Sequence, residues 1–96
     1  MIASFGDAAT EDLYHGRQSS KVRKFSANVV QAALRKLDML NAAHRLTDLQ
    51  SPPGNRLEAL KGDRQGFHSI RVNDQWRIVF RWSEEAAHEV SLTDYH

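Results

Sequence analysis

An α+β fold, with helices packed on one face of a mainly antiparallel sheet, is predicted by three observations. Apolar residues recur at helical spacing from Val30 to Leu40, and the composition turns over at Gln50, Ser51, Pro52, Pro53, Gly54 and Asn55. Beyond that break, strand-length runs follow one another across connections too short for anything but antiparallel neighbours. The expected element order is β-α-α-β-β-β-β, within one domain spanning residues 1–96.

Ile2 to Phe5 reads as a short first strand. Asp7 is placed to cap a helix with Glu11 and Asp12 in its early turns and Gly16 as its stop. A second helix carries Val30, Ala33, Leu34, Leu37 and Leu40 on one face and Asn28, Gln31, Arg35 and Asp38 opposite. Ser26 is its expected N-cap, flanked by Phe25 and Val30 as a hydrophobic staple. Arg56 to Lys61, Gly66 to Val72, Gln75 to Trp82 and Ala87 to Thr93 are the remaining strand-length runs.

The apolar pattern sets the register of the central hairpin. A two-residue turn at Asn73 and Asp74 would oppose Ile70 to Arg77 and mix the faces. A connection running through Gln75 instead pairs Val72 with Trp76, Ile70 with Ile78 and His68 with Phe80, one apolar face to pack on the helices. Ser69, Arg71, Arg77, Val79 and Arg81 then project from the other face, with Arg71 opposite Arg77. Guanidinium groups opposed across a strand pair repel, so this face suits a polyanion whose phosphates accept bidentate hydrogen bonds. Pairing of these arginines with Glu58, Glu89 or Asp94 is the competing account.

With 96 residues and 41% hydrophobic content, the chain supports one core and an open groove rather than an enclosed cavity. No run has the length of a membrane span, and Met1 to Phe5 lacks the regions of a signal peptide, so a cytoplasmic protein is expected. The absence of cysteine excludes disulfides, thiol catalysis and cysteine-ligated zinc. Net charge is only +1, but no acid lies between Asp12 and Asp38, a stretch holding Arg17, Lys21, Arg23, Lys24, Arg35 and Lys36. Such a basic stretch is either a solvated loop and helix face or a polyanion contact.

The run PPGNRLEALKGDRQGFHSIRVNDQWRIVFRW, the DYH ending and the opening SF with TEDLYHG resemble the HigB-type toxins of the RelE superfamily. The resemblance covers nearly the whole chain and is most specific in LKGDR, SIRVNDQWRI and DYH, in that order. It implies a RelE-like fold, with a helical layer on an antiparallel sheet. It also implies the toxin half of a type II toxin–antitoxin pair, a ribosome-dependent endoribonuclease that cleaves messenger RNA without metal or cofactor. The implied partners are the ribosome, mRNA and a cognate, HigA-like helix-turn-helix antitoxin. Transferred by motif, the active surface comprises Lys61 of LKGDR, Arg77 of the QWRI strand, and the terminal Asp94, Tyr95 and His96. Some members have a histidine three residues before that lysine, where this chain has Glu58.

Metal-free RNA cleavage needs a base for the 2'-hydroxyl, cations for the crowded phosphate and an acid for the departing 5'-oxygen. Guanidinium and ammonium groups are cationic at neutral pH, which suits Arg77 and Lys61 to the phosphate, with Arg71 as a backbone-steering residue. An ordinary imidazole titrates near pH ~6.5, so the His96 type can accept or donate a proton. A phenol's ordinary pKa of ~10 favours base stacking for Tyr95 over proton abstraction. Base and acid are left open among Glu58, Asp94, Tyr95 and His96. Arg17, Lys21, Arg23 and Lys24 form the expected ribosomal RNA contact. His15, His44, His68 and His88 lack zinc-site spacing, so no metal is expected, and Trp76, Phe80 and Trp82 read as core. The alternative function is a non-catalytic RNA-binding or antitoxin-binding module on the same fold.

Overall fold

Asp7 ends the extended N-terminal segment, and its carboxylate accepts the Thr10 N–H at 2.7 Å, which turns the chain into helix α1, Ala8–Tyr14. The computed structural model describes residues 1–94. Gly16 closes α1 at a φ of 73°, a left-handed position where glycine costs least. A one-turn helix α2, Ser20–Arg23, then precedes the long helix α3, Ala27–Ala42. Helix α2 was not expected, because a single turn is too short to display a period. The Ser26 hydroxyl caps α3 by accepting the Val29 N–H at 3.2 Å, as its position suggested.

Four strands follow, β1 Glu58–Ala59, β2 Phe67–Arg71, β3 Trp76–Ser83 and β4 Ala86–Asp94, in an antiparallel meander of that spatial order. The hairpin register is the one the apolar pattern required: His68 opposes Phe80, Ile70 opposes Ile78 and Arg71 opposes Arg77. Ile70, Ile78 and Phe80 are fully buried against Leu13, Ala33, Leu37 and Leu40. Each such large apolar side chain contributes roughly 1.5–3 kcal/mol by leaving water.

Three expectations are corrected. The segment expected as a first strand, Ile2 to Phe5, makes only two isolated parallel bridges along β4, Ile2 to Ala87 and Phe5 to Val90. The expected strand Arg56 to Lys61 shrinks to Glu58–Ala59, because Arg56 adopts a left-handed φ of 47° and Lys61 leads into a 3₁₀ turn at Gly62–Arg64. The face carrying the arginines is also partly filled, with Ser69 and Val79 buried among the half-buried Arg71, Arg77 and Arg81.

A bulge in β4 explains the interrupted N-terminal pairing. Val79 opposes Ser91 while Arg81 opposes His88, so β4 carries one extra residue there, and Glu89 within it has a φ of 54°. The bulge shifts the alternation, so that Ala87, Val90 and Leu92 all face the core. Gly6 lies against it. A Cβ at Gly6 would sit 2.8 Å from the Glu89 carbonyl oxygen, so only glycine allows the N-terminal segment to pass this close. Backbone donors on this edge of β4 are met from the N-terminal region: Ala87 N–H by the Met1 carbonyl, Glu89 N–H by the Ser4 hydroxyl, Val90 N–H by the Ser4 carbonyl and Leu92 N–H by the Thr10 hydroxyl at 2.8 Å. The segment thereby covers an edge that would otherwise template pairing with another chain.

Asn55 ties the proline-rich loop to α3. It is completely buried; its amide donates to the carbonyls of Leu49 and Ser51, and its carbonyl accepts the Lys36 ammonium at 2.5 Å. Burial, and then the nearby charges of Arg35 and Arg71, hold the Lys36 ammonium below its usual pKa.

Candidate active site

The β2–β3 turn brings together the polar groups at one end of the sheet. Asn73 folds its side-chain oxygen back onto the N–H groups of Gln75 and Trp76, each at 2.8 Å, which closes the turn locally. That closure aims the Asn73 carbonyl at Arg77, whose Nη1 donates to it at 2.5 Å and to the Trp76 carbonyl at 3.2 Å. Arg71, directly opposite, directs its Nη2 to the Asp74 carboxylate. Gln75 donates from Nε2 to Asp94 Oδ2 at 3.1 Å. Arg71, Arg77 and Asp94 thus share one end of the sheet. Asp94 is the register partner of Trp76 and is one residue out of phase with Thr93, the partner of Arg77.

Glu58 and Lys61 lie elsewhere along the same meander. Glu58 opposes Ser69, so it stands on the arginine-bearing face but at the exposed outer strand. Leu60 donates to the Phe67 carbonyl, which puts Lys61 beside the start of β2, at the Arg81 end. Phe67 and Arg71 are separated by roughly 13 Å of strand at ~3.3 Å per residue, so Lys61 approaches from the far end. Tyr95 and His96, expected in this site, lie outside the described residues.

The basic stretch divides into tied and outward-facing members. Arg17 pairs with Asp12 at 3.2 Å, and the Ser19 hydroxyl and Arg17 hold the Asp12 carboxyl below the usual carboxylate range. Lys21, Arg23 and Lys24 are exposed on and just after α2. Lys24 stands 5.2 Å from the centre of the Phe25 ring, and Phe25 packs edge-on to Trp76 at 5.1 Å. This aromatic pair brings the end of α2 up to the strand that carries Arg77. A cleft of about 350 Å³ opens beside it, between Val22, Arg23, Phe25 and the start of α3 at Val30 and Gln31.

Of the expected carboxylate partners, Glu89 pairs with Arg81 at 3.1 Å across the bulge. The pairing of Arg71 with Asp74 was not expected, because Asp74 lies in the turn, where no strand register fixes a side chain's partner. Three of the histidines outside the terminus, His15, His68 and His88, have local partners or packing. His68 stacks on Phe80 at 6.2 Å, His88 Nε2 contacts the Ser83 carbonyl at 3.1 Å, and His15 packs edge-on against Phe5 and Tyr14. Trp76 and Trp82 pack against the core that encloses Phe80. Among the described residues, no three histidine, aspartate or glutamate side chains cluster as a metal would need. No helix among them is long and apolar enough to cross a membrane.

The fold is that of the RelE-like toxins. Solved structures covering all but a few per cent of the chain include the YoeB–YefM complex from Staphylococcus aureus, with a TM-score of 0.63, 18% identity and coverage of 100% of this chain and 98% of that one. A YafQ mutant from E. coli aligns with a TM-score of 0.61 at 12% identity, covering 98% of this chain and 93% of that one.

Residues 3–96 match the model of the HigB-like toxins, described as RelE-like toxins of the type II toxin–antitoxin system HigB, and the chain belongs to that family. It is 39% identical to Toxin HigB-1 of Vibrio cholerae over 91% of this chain and 90% of that protein. It is also 44% identical to Endoribonuclease HigB of Proteus vulgaris, over 43% of this chain and 45% of that protein. As a type II toxin, the chain is the counterpart of an antitoxin.

Proposed function

We propose that this toxin is a ribosome-dependent endoribonuclease that cuts messenger RNA without a metal, by attack of a 2'-hydroxyl on the adjacent phosphate. The product is a 2',3'-cyclic phosphate or 3'-phosphate. The observation that carries the reading is the opposition of Arg71 and Arg77 across β2 and β3, at the end of the sheet where Gln75 reaches Asp94. The endoribonuclease name of the Proteus vulgaris relative supports it.

Preorganised cations aimed at a phosphate stabilise the charge that builds up as the fifth oxygen approaches phosphorus. Arg77 takes that part, held by two backbone carbonyls so that little reorganisation is needed during the reaction. Arg71 steers the RNA backbone, and Lys61 meets it from the far end of the meander. Proton transfer falls to the set Glu58, Asp94, Tyr95 and His96. Arg17, Lys21, Arg23 and Lys24 form the ribosomal RNA contact, in which Arg17 must exchange Asp12 for a phosphate. The whole chain acts as one cytoplasmic toxin domain, silenced by a HigA-like helix-turn-helix antitoxin.

Mapping mRNA ends in cells expressing wild type, Arg77→Ala or a chain lacking Tyr95 and His96 tests the reading. Translation-dependent cuts that disappear in both variants support an endoribonuclease. Ribosome or antitoxin binding by the wild type with no cuts would establish the non-catalytic module instead. Charge reversal at Lys21, Arg23 and Lys24 should abolish ribosome association while the fold survives.

A further inference from the structure

Asn73, Asp74 and Gln75, between β2 and β3, each hold a different group of the proposed site. The Asn73 carbonyl takes Arg77 Nη1, the Asp74 carboxylate takes Arg71 Nη2, and the Gln75 amide reaches Asp94 Oδ2. Closing the turn explains only the Asn73 side chain, which already satisfies the Gln75 and Trp76 N–H groups. The side chains of Asp74 and Gln75 add nothing to that closure. Both residues are exposed, and an exposed ion pair such as Asp74–Arg71 contributes little to stability.

We propose that this turn is the positioning element of the nuclease site: Asn73 sets Arg77, Gln75 sets Asp94, and Asp74 is an internal counter-ion on Arg71 that an RNA phosphate displaces. The inference rests on the reading of Arg71, Arg77 and Asp94 as groups around the phosphate. With RNA absent, Asp74 offsets the repulsion between Arg71 and Arg77 by occupying a guanidinium edge that suits a phosphate. With RNA bound, a phosphate takes that edge and the side chain of Asp74, which is 97% exposed, swings into water without a desolvation cost. Asn73 and Gln75 act only through Arg77 and Asp94, so their contribution lies in the rate of the chemical step and not in RNA affinity.

The test is steady-state cleavage of mRNA on programmed ribosomes by the full chain and its variants. Asn73→Ala should lower kcat on the order of 10²-fold and Gln75→Ala about 10-fold, both with little change in KM, as misplacement of reacting groups predicts. Asn73→Asp, which keeps the acceptor oxygen that closes the turn, should restore most of the loss. Asp74→Asn should lower KM with kcat little changed, because the RNA phosphate no longer has to displace a counter-ion from Arg71. Wild-type kcat in Asn73→Ala and Gln75→Ala, beside an inactive Arg77→Ala, would overturn this inference alone. A loss confined to KM, a loss that Asn73→Asp fails to restore, or an unchanged KM in Asp74→Asn would also overturn it. Full activity in Arg77→Ala would instead overturn the reading of the site beneath it.

Discussion

Arg71 and Arg77 face each other directly across β2 and β3, and each guanidinium is drawn away from the other by a partner in the intervening turn. Like charges in this position destabilise a sheet unless an anion or dipole lies close by. Their roles separate in a pair of substitutions. Arg77→Ala should reduce kcat by about 10²–10³-fold, the usual consequence of removing one preorganised donor from a developing oxyanion. Arg71→Ala should act mainly on KM and its salt dependence. Thermal unfolding of both should stay close to wild type, since the Asn73 and Trp76 carbonyls and the Asp74 carboxylate that these guanidinium groups meet are half-buried or exposed.

Thr10 links α1 to β4 by a single buried hydrogen bond, from the Leu92 N–H to its hydroxyl. Thr10→Val preserves shape but leaves that donor unsatisfied, at a cost of roughly 1–3 kcal/mol. Denaturant unfolding should show this as a lower midpoint with an unchanged slope.

Gly6 is required by distance and not by its own φ. In Gly6→Ala the new methyl would overlap the Glu89 carbonyl at 2.8 Å, so the N-terminal segment or the bulge must move. Overpacking of this kind costs about 1–3 kcal/mol. Hydrogen exchange at the Val90 amide, which the Ser4 carbonyl protects, should accelerate more than exchange at Ile78 in the sheet centre.

Asp48 accepts the backbone N–H groups of Arg45 and His44, and these bonds hold its carboxyl below the usual carboxylate range. A carboxyl lowered on folding stabilises the fold above its unfolded pKa, and that stability is lost as pH falls through the lower, folded value. Asp48→Ala should therefore be less stable than wild type at neutral pH, with the difference closing below about pH 3.8. Equal stability at pH 7 would remove the cap from this account.

The amino-acid sequence by itself determined the helical layer on an antiparallel meander and the pairing of Ile70 with Ile78 and Arg71 with Arg77. An apolar alternation tolerates only one register when one face must meet a core. It also set the Asp7 and Ser26 caps, which depend on neighbours two or three residues away. The one-turn helix α2 was not legible, since four residues show no period. The bulge at Glu89 and the bridges of Ile2 and Phe5 were decided by tertiary structure, because Ala87 had to reach the core together with Val90 and Leu92 while Gly6 passed alongside. Motif and pattern singled out Arg71, Arg77 and Asp94 as candidate-site residues. Their attachment to Asn73, Asp74 and Gln75 was not, because it depends on where a turn aims its carbonyl and side chains once both strands are in place.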